Sequence, residues 1–265
     1  MKYEQIQLEF TDNVAVLTLN KPEALNAISL KMLREILDAV ERIEDPASGI
    51  RSFLLTGAGR AFSSGANLND PDRRPATGEQ ISSGQLLDRW YNPLFFRLSE
   101  LKIPFITAVN GAAAGISSSL ALAGDMILAA RSAYFLQAFR RIGLIPEGGA
   151  TFVLPRLIGR VRAMELMLLG EKLPAEKALE WGMINRVCDD GELMKEAMSL
   201  ARSLAQGPTR ALGMMRKACL EGMTNSFTDQ LCLERRYQTD LWRSEDFKEG
   251  VAAFKEKRPA VFKGK

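Results

Sequence analysis

The 265-residue sequence predicts an α/β fold with crossover connections. Apolar runs of strand length recur along its first half, at Val14–Leu19, 52–56, 103–109 and Met126–Ala130. The segments between them carry apolar residues at helical spacing, and glycine-containing turns separate the two patterns. Strands that alternate with helices pair as parallel neighbours, because each helix carries the chain back across the sheet.

The strand Val14–Leu19 leads to a helix from about 29 to 44, with Leu30, Leu33, Ile36, Leu37, Val40 and Ile43 at helical spacing. The strand at 52–56 runs into Gly57-Ala58-Gly59, then a loop to about Asn92 and a helix that carries Leu87, Trp90, Leu94, Leu98 and Leu101. Residues 103–109 lead into Asn110-Gly111 and a serine-rich helix start. The run from Ile103 to Gly124 holds about 22 residues without a charge, the length of a membrane span. Pro104, Asn110, Gly111, Gly115 and Ser117 to Ser119 divide it into strand, turn and helix start, which fits a buried soluble core. Met126–Ala130 precedes a turn around Glu147. Past Gly170 the pattern becomes helical. Pro174 at the first helical position and Gly182 at the C-terminal cap frame one short helix. Amphipathic segments follow near 192–206, 208–221, 227–242 and 245–256, a helical layer for the core or for another subunit.

A hydrophobic content of 46% is enough to bury a sizeable core. Lys+Arg 35 against Asp+Glu 32 gives a formal charge of +3, too even to point to nucleic acid or a membrane surface. Lys248, Lys255, Lys257, Arg258, Lys263 and Lys265 crowd the C-terminal end, which suits a solvated tail or a site for a polyanionic small molecule. Cys188, Cys219 and Cys232 have no metal-ligand spacing, so free thiols in a reducing compartment are expected and no metal site is. Residues 1–10 alternate charged and apolar side chains without the apolar stretch of an export signal, and a cytoplasmic location is expected.

The chain contains no histidine, so acid-base chemistry near pH 7 falls to carboxylates or lysines. Glu147 stands between Pro146 and Gly148-Gly149, where the backbone is constrained and a ligand has room, although the segment alone is equally compatible with a solvent-facing turn. Ser63 to Leu68 follows a strand and a glycine turn, and Gly115-Ile116-Ser117 opens a helix whose first N–H groups lack intrahelical partners. Two such places can aim two N–H groups at one oxygen. Phe62 occupies the third-glycine position of a dinucleotide fingerprint, and Gly149 the lysine position of a P-loop, so neither motif is present. Without histidine, Ser-His-Asp triads and the usual zinc hydrolase sites are excluded.

Together these segments resemble the crotonase, or enoyl-CoA hydratase/isomerase, superfamily. The resemblance runs through Asn20-Lys21-Pro22-Glu23-Ala24-Leu25-Asn26-Ala27, Gly59 to Leu68, Ala108 to Gly115, the Glu147 turn with Leu154 to Gly159, Ala178 to Val187, and Glu249 to Phe254. It implies a spiral of ββα repeats with a C-terminal α-helical trimerisation region, the spiral core covering 1–195 and the helical region 196–265. It implies a homotrimer or dimer of trimers, an acyl-coenzyme A thioester as substrate, no permanently bound cofactor and no nucleic-acid partner.

By motif position, the resemblance makes the backbone N–H groups of Ala66 and Ile116 the donors that hold the thioester oxygen. A glycine is usual at the second place, and the β-branched Ile116 should narrow the pocket. The two glutamates of the hydratases correspond to Ser119 and Phe139, so two-glutamate hydration is not expected. Glu147 matches the Asp or Glu base of Δ3,Δ2-enoyl-CoA isomerases and of the ring-opening enzymes acting on epoxidised phenylacetyl-CoA. The resemblance further puts Lys21 near the coenzyme A phosphates, and Ala24, Leu25, Ala27, Ala66, Asn67 and Leu68 along the pantetheine and adenine. Phe254 and Lys257 would close over the adenine, often from a neighbouring subunit. Residues 70–84 look like the variable loop beside the acyl pocket. The expected activity is a Δ3 to Δ2 double-bond shift with Glu147 as single base. An enoyl-CoA hydratase and a weakly catalytic CoA-thioester or RNA-binding relative are the alternatives.

Overall fold

A computed structural model describes residues 2–73 and 81–265. The chain opens with β1 (Ile6–Thr11) and β2 (Val14–Leu19), paired antiparallel through Asp12 and Asn13, both left-handed at φ 51° and 61°. Within residues 1–10, the alternation from Ile6 onward is the period of a strand, with Ile6 buried and Gln7 and Glu9 exposed. Next come α1 (Leu30–Glu44), β3 (Ser52–Gly57) and β4 (Ala61–Ser63). Ser29 caps α1 by accepting a hydrogen bond from Met32 N at 3.0 Å. The helix buries Met32, Leu33, Ile36, Ala39, Val40 and Ile43, and each large aliphatic side chain among them contributes ~1.5–3 kcal/mol.

The expected helix through Leu87, Trp90, Leu94 and Leu98 is present, but it starts before the expected end of the loop at about Asn92. Helix begins at α2 (Ser83–Leu86), where Ser82 and Gln85 form a reciprocal capping box, and passes through a π-helical turn, Leu87–Tyr91, into α3 (Asn92–Ser99). The wider turn has Asn92 N donating to Leu87 O, and it makes room for Pro93, which has no N–H and would collide with the preceding turn of a regular α-helix. The uncharged run that follows contains β5 (Phe105–Val109), β6 (Ala112–Ala114) and the short α4 (Ile116–Ala121). No helix among the described residues is long and apolar enough to cross a membrane.

After β7 (Met126–Ala130) and β8 (Tyr134–Leu136) the chain makes the Glu147 turn and enters α5 (Ala150–Leu169). This helix has no clear sequence signature, because Pro155 and a break at Gly159 interrupt its period and Val161 and Leu168 point outward. Then follow β9 (Lys172–Pro174), α6 (Ala175–Glu180) and β10 (Arg186–Cys188). Pro174 is the N-cap of α6, one residue earlier than expected, because it still belongs to the extended strand; Gly182, at φ 76°, ends the helical turn as expected. Four helices complete the chain: α7 (Leu193–Ala205), α8 (Thr209–Gly222), α9 (Phe227–Leu241) and α10 (Glu245–Glu256).

The strands form a six-stranded sheet in the order β1-β2-β3-β5-β7-β10 and a four-stranded sheet in the order β4-β6-β8-β9. Every pair from β2 to β10 in the larger sheet is parallel. Three successive units, β3-β4, β5-β6 and β7-β8, each give one strand to each sheet before the chain turns into helix, which is a spiral of ββα repeats. All residues of β3 and β5 are buried, as a parallel sheet covered on both faces requires, and Phe53 and Phe105 stack across them at 4.7 Å. Helix α7 packs on β2, β3, β5 and β7 through Ala197, Ala201 and Ala205, whose small side chains at a four-residue spacing let it lie close to the sheet. The C-terminal tail is pinned to the fold. The Asp246 carboxylate accepts Lys263 N at 2.7 Å and Gly264 N at 2.8 Å, while Arg51 donates to Phe262 O at 3.1 Å. The side chains of Lys263 and Lys265 remain exposed.

Candidate active site

Two loops, each following a strand of the smaller sheet, meet at one cavity. In the first, Ile28 and Ala66 form an isolated parallel bridge, with Ile28 N donating to Gly65 O and Asn67 N donating to Ile28 O, both at 2.8 Å. In this pairing the neighbours of Ala66 make the bonds, so the N–H of Ala66 itself faces away from Ile28. Gly65 holds φ 103°, and a Cβ on it would lie 2.8 Å from Ala114 O, so only glycine lets the first loop press against the second. The second loop turns at Gly115 into α4, where Ile116 is the first residue and its N–H has no intrahelical acceptor. Ala66 and Ile116 both line the cavity, whose volume is about 250 Å³.

A hydroxyl pair ties the two loops together beneath the cavity. Ser63 Oγ lies 2.6 Å from Ser117 Oγ, donates to Asn26 O at 2.7 Å and accepts from Gly65 N at 3.2 Å. With its one proton on Asn26 O, Ser63 receives the proton of Ser117, and the Ser63 hydroxyl makes all three bonds it can make. Asn26, fully buried, extends the brace by donating to Ala61 O and by accepting from Lys21 N, both at 2.8 Å.

Glu147 lines the same cavity from its turn and is the one carboxylate to do so among the described residues. It is half-buried, and desolvation pushes its carboxyl above the ordinary value of 4.5, with the positive charge of Arg73 partly opposing the shift. Its turn is held from α4: Ser119 Oγ donates to the backbone O of Glu147 at 2.7 Å. Gly148, at φ 64°, packs so closely that a Cβ would meet Phe95 Cζ at 2.6 Å and Ile116 Cδ1 at 2.7 Å. Ile116 therefore lines the cavity at the start of α4 and braces the Glu147 turn with its side chain. Phe139, 5% exposed, forms part of the apolar wall. Ser119 thus tethers the turn, and Phe139 is part of the wall.

The family description enoyl-CoA hydratase/isomerase matches residues 9–265 of the chain. The chain belongs to the enoyl-CoA hydratase/isomerase family. It is 49% identical over 252 residues to the 1,2-epoxyphenylacetyl-CoA isomerase of Escherichia coli K12, covering 95% of each chain. It is 42% identical over 265 residues to a protein of Rhodobacter capsulatus named probable enoyl-CoA hydratase, covering 100% of both. The crystal structure of an enoyl-CoA hydratase from Bacillus anthracis superposes with a TM-score of 0.90 at 30% identity, covering 99% of this chain and 100% of that one. The two-sheet spiral described above is accordingly the crotonase fold.

Within this enoyl-CoA hydratase/isomerase chain, the residues expected along coenzyme A fall into three places. Ala66 and Leu68 line the cavity, with Leu68 at its exposed mouth and Asn67 between them. Ala24, Leu25 and Ala27 lie on the adjoining loop, joined to the first by Ser64 N donating to Leu25 O at 2.9 Å. Lys21 starts that loop, partly exposed and ion-paired with Glu23 at 2.8 Å. Phe254 and Lys257 are on or just after α10 and do not line the cavity; Phe254 is 85% exposed. Part of the 70–84 segment, 74–80, lies outside the described residues, but Arg73 and Ser83 reach the cavity. Arg73 belongs to the 70–84 segment expected beside the acyl pocket, whereas Tyr91 and the Ser63–Ser117 pair carry no such expectation from sequence. The helical spacing of Leu87, Trp90 and Leu94 does not mark Tyr91 as a cavity residue, because the π turn that re-aims it is not visible in the sequence.

Proposed function

We propose that this protein is an acyl-CoA double-bond isomerase in which Glu147 is the only side-chain base. The observation that carries the reading is one carboxylate, with its pKa raised by burial, facing the same apolar cavity as the Ala66 and Ile116 amides. The thioester oxygen accepts from those two amides. Glu147 removes a proton from the carbon α to the thioester, the electrons pass into an enolate held by the amides, and the same carboxyl returns the proton at the γ carbon. The C2–H bond breaks, a C4–H bond forms, and the double bond moves from Δ3 to Δ2. A carboxyl whose pKa is raised by burial suits both halves of that transfer better than an ordinary one, and losing one backbone donor of this kind costs roughly 10²–10³ in kcat.

The same proposal takes Lys21, Ala24, Leu25, Ala27, Asn67 and Leu68 as the coenzyme A track leading away from the cavity. It takes residues 196–265 as the assembly layer of a trimer or dimer of trimers, in which Phe254 and Lys257 serve the adenine of a neighbouring copy. The exposure of Phe227, Trp242 and Phe254, at 79%, 68% and 85%, supports a surface that another subunit covers. Three free cysteines, two of them exposed, support a reducing cytoplasmic setting.

Mass analysis after incubation with 3-hexenoyl-CoA and with crotonyl-CoA tests the reaction. A shifted double bond without mass gain is the expected result, and hydration of crotonyl-CoA without isomerisation of the 3-enoyl thioester overturns it in favour of a hydratase. Bound acyl-CoA with no conversion of either thioester would instead support a non-catalytic binding relative.

A further inference from the structure

The loop from Lys21 to Ile28 has an exposed outer edge and a buried anchor. Pro22, Glu23 and Ala24 lie on the surface, whereas Asn26 is fully buried behind them. The Asn26 side chain closes the loop and fastens it to the core at once: Oδ1 accepts from Lys21 N at 2.8 Å, and Nδ2 donates to Ala58 O at 2.9 Å and to Ala61 O at 2.8 Å. Leu25 and Asn26 are both left-handed without being glycine, at φ 51° and 53°. Residues keep that conformation only where their surroundings hold them in it.

Bonds across to the first cavity loop carry the position of this outer loop inward. Ser64 N donates to Leu25 O at 2.9 Å, Ser63 Oγ donates to Asn26 O at 2.7 Å, and Ile28 N donates to Gly65 O at 2.8 Å. They end on Ser63, Ser64 and Gly65, which lead directly to Ala66. From Ser63 the 2.6 Å bond to Ser117 Oγ continues into α4, where Ser117 is the chain neighbour of Ile116. A displacement of the outer edge is therefore passed through Asn26 and Ser63 toward Ala66 and Ile116, which line the cavity. Asn26, Ser63 and Ser117 do not line it themselves, so they act on a ligand there only through their neighbours.

We propose that Asn26, Ser63 and Ser117 are positioning residues that couple the coenzyme A end of a thioester to the two amides at its carbonyl end, so that contacts made on the outer loop raise kcat as well as affinity. This rests on the reading of the Lys21 to Ala27 loop as part of the coenzyme A track and of the Ala66 and Ile116 amides as donors to the thioester oxygen. Donors of this kind act over a narrow range, about 2.7–3.1 Å from the oxygen, so a small shift of either cavity loop weakens the grip. Binding energy from the remote, non-reacting part of the substrate then goes into placing the amides. A thioester without the nucleotide leaves the outer edge uncontacted, and its carbonyl meets amides that are less well placed.

The test compares hexanoyl-CoA with hexanoyl-N-acetylcysteamine, which carries the same thioester without the nucleotide, in the wild type, Ser63→Ala and Ser117→Ala. The carbonyl stretch of the bound thioester, read by difference infrared spectroscopy at saturation, falls in frequency as the amides donate to it and needs no turnover. The wild type is expected to lower it further for hexanoyl-CoA than for the short thioester, and each variant to shrink that difference. Equal shifts in the wild type, or a difference that survives in both variants, overturn the proposal. The corresponding 3-hexenoyl thioesters give the kinetic measure: Ser63→Ala should lower kcat about ten-fold for the CoA thioester and less than about three-fold for the short one. Equal losses overturn the proposal and leave a brace that serves the fold alone. Ser117→Ala keeps the Ser63 bond to Asn26 and carries both measurements if Ser63→Ala fails to fold. Lys21→Ala separates the readings. An unchanged KM for 3-hexenoyl-CoA in that variant removes the coenzyme A track, and the proposal with it, whereas a raised KM beside equal kcat losses removes the coupling alone. No carbonyl shift with either thioester removes the amide donors themselves.

Discussion

Glu147 carries the strongest predictions at the residue scale, because its environment raises the pKa of a group that must be ionised to act as a base. The acid limb of kcat/KM should therefore fall above the ordinary glutamate value of 4.5, with activity lost as pH drops through the raised pKa; a limb at or below 4.5 would contradict the desolvation argument. Glu147→Gln should abolish isomerisation. The same substitution has a signed effect on stability. A carboxyl whose folded pKa is raised costs the folded state stability once it ionises, so the cost grows as pH rises through that pKa. The thermal midpoint of Glu147→Gln should exceed that of wild type by more at pH 8 than at pH 4, and a gain independent of pH would rule this out. Ser119 acts only through the Glu147 backbone, at 2.7 Å, so it positions the base without touching substrate. Ser119→Ala should reduce kcat by about ten-fold with little change in KM, as expected when an interaction serves the transition state alone.

Two connections between elements decide whether the site has a fixed shape. The Ser63–Ser117 pair joins the loop after β4 to α4, so the two amide-bearing segments move together. Ser63→Ala and Ser117→Ala each break the same 2.6 Å bond, and the double variant should cost less in kcat than the sum of the single ones in free energy. Additive losses would show that the two loops are held independently. The second connection is Arg216 on α8, nearly buried, which binds Asp125 at 2.7 Å and donates to Ser99 O, Leu101 O and Leu98 O at the end of α3. Arg216→Met leaves the Asp125 carboxylate with only the Phe105 N donor and removes the Arg216 donors from three carbonyls, and should destabilise the fold by about 3 kcal/mol in denaturant titration. Because α3 is continuous with the π turn, this joint also supports the helix that presents Tyr91.

At the scale of the whole molecule, exposed apolar residues on α9 and α10 and the pinned tail form a surface away from the cavity. Trp242→Asp, at a position 68% exposed in the single chain, should shift the protein to smaller species in analytical ultracentrifugation. If Phe254 and Lys257 serve a neighbouring copy, the same variant should raise KM for acyl-CoA while leaving the Glu147 pH limb in place. An unchanged sedimentation profile would remove the assembly role of this face.

The sequence by itself determined the repeating strand-turn-helix order and the family, and it singled out the segments that hold Ala66, Ile116 and Glu147. Those features depend on local patterning: apolar periodicity, glycine where the backbone must pass closely, and a proline-carboxylate-glycine turn. The resemblance also marked Ser119 and Phe139 as departures from its pattern. Only the tertiary structure decided what those departures do, because a hydroxyl found 28 residues from Glu147 in sequence becomes its turn's tether only when α4 packs beside it. It also decided α5, whose broken period and outward apolar residues carry no sequence signal of a helix, and the π turn, where Pro93 reads locally as an interruption but the fold absorbs it. Tyr91 entered the site for the same reason. The cavity is enclosed by segments far apart along the chain, and desolvation, which gives Glu147 and Tyr91 their pKa values, exists only once those segments close around them.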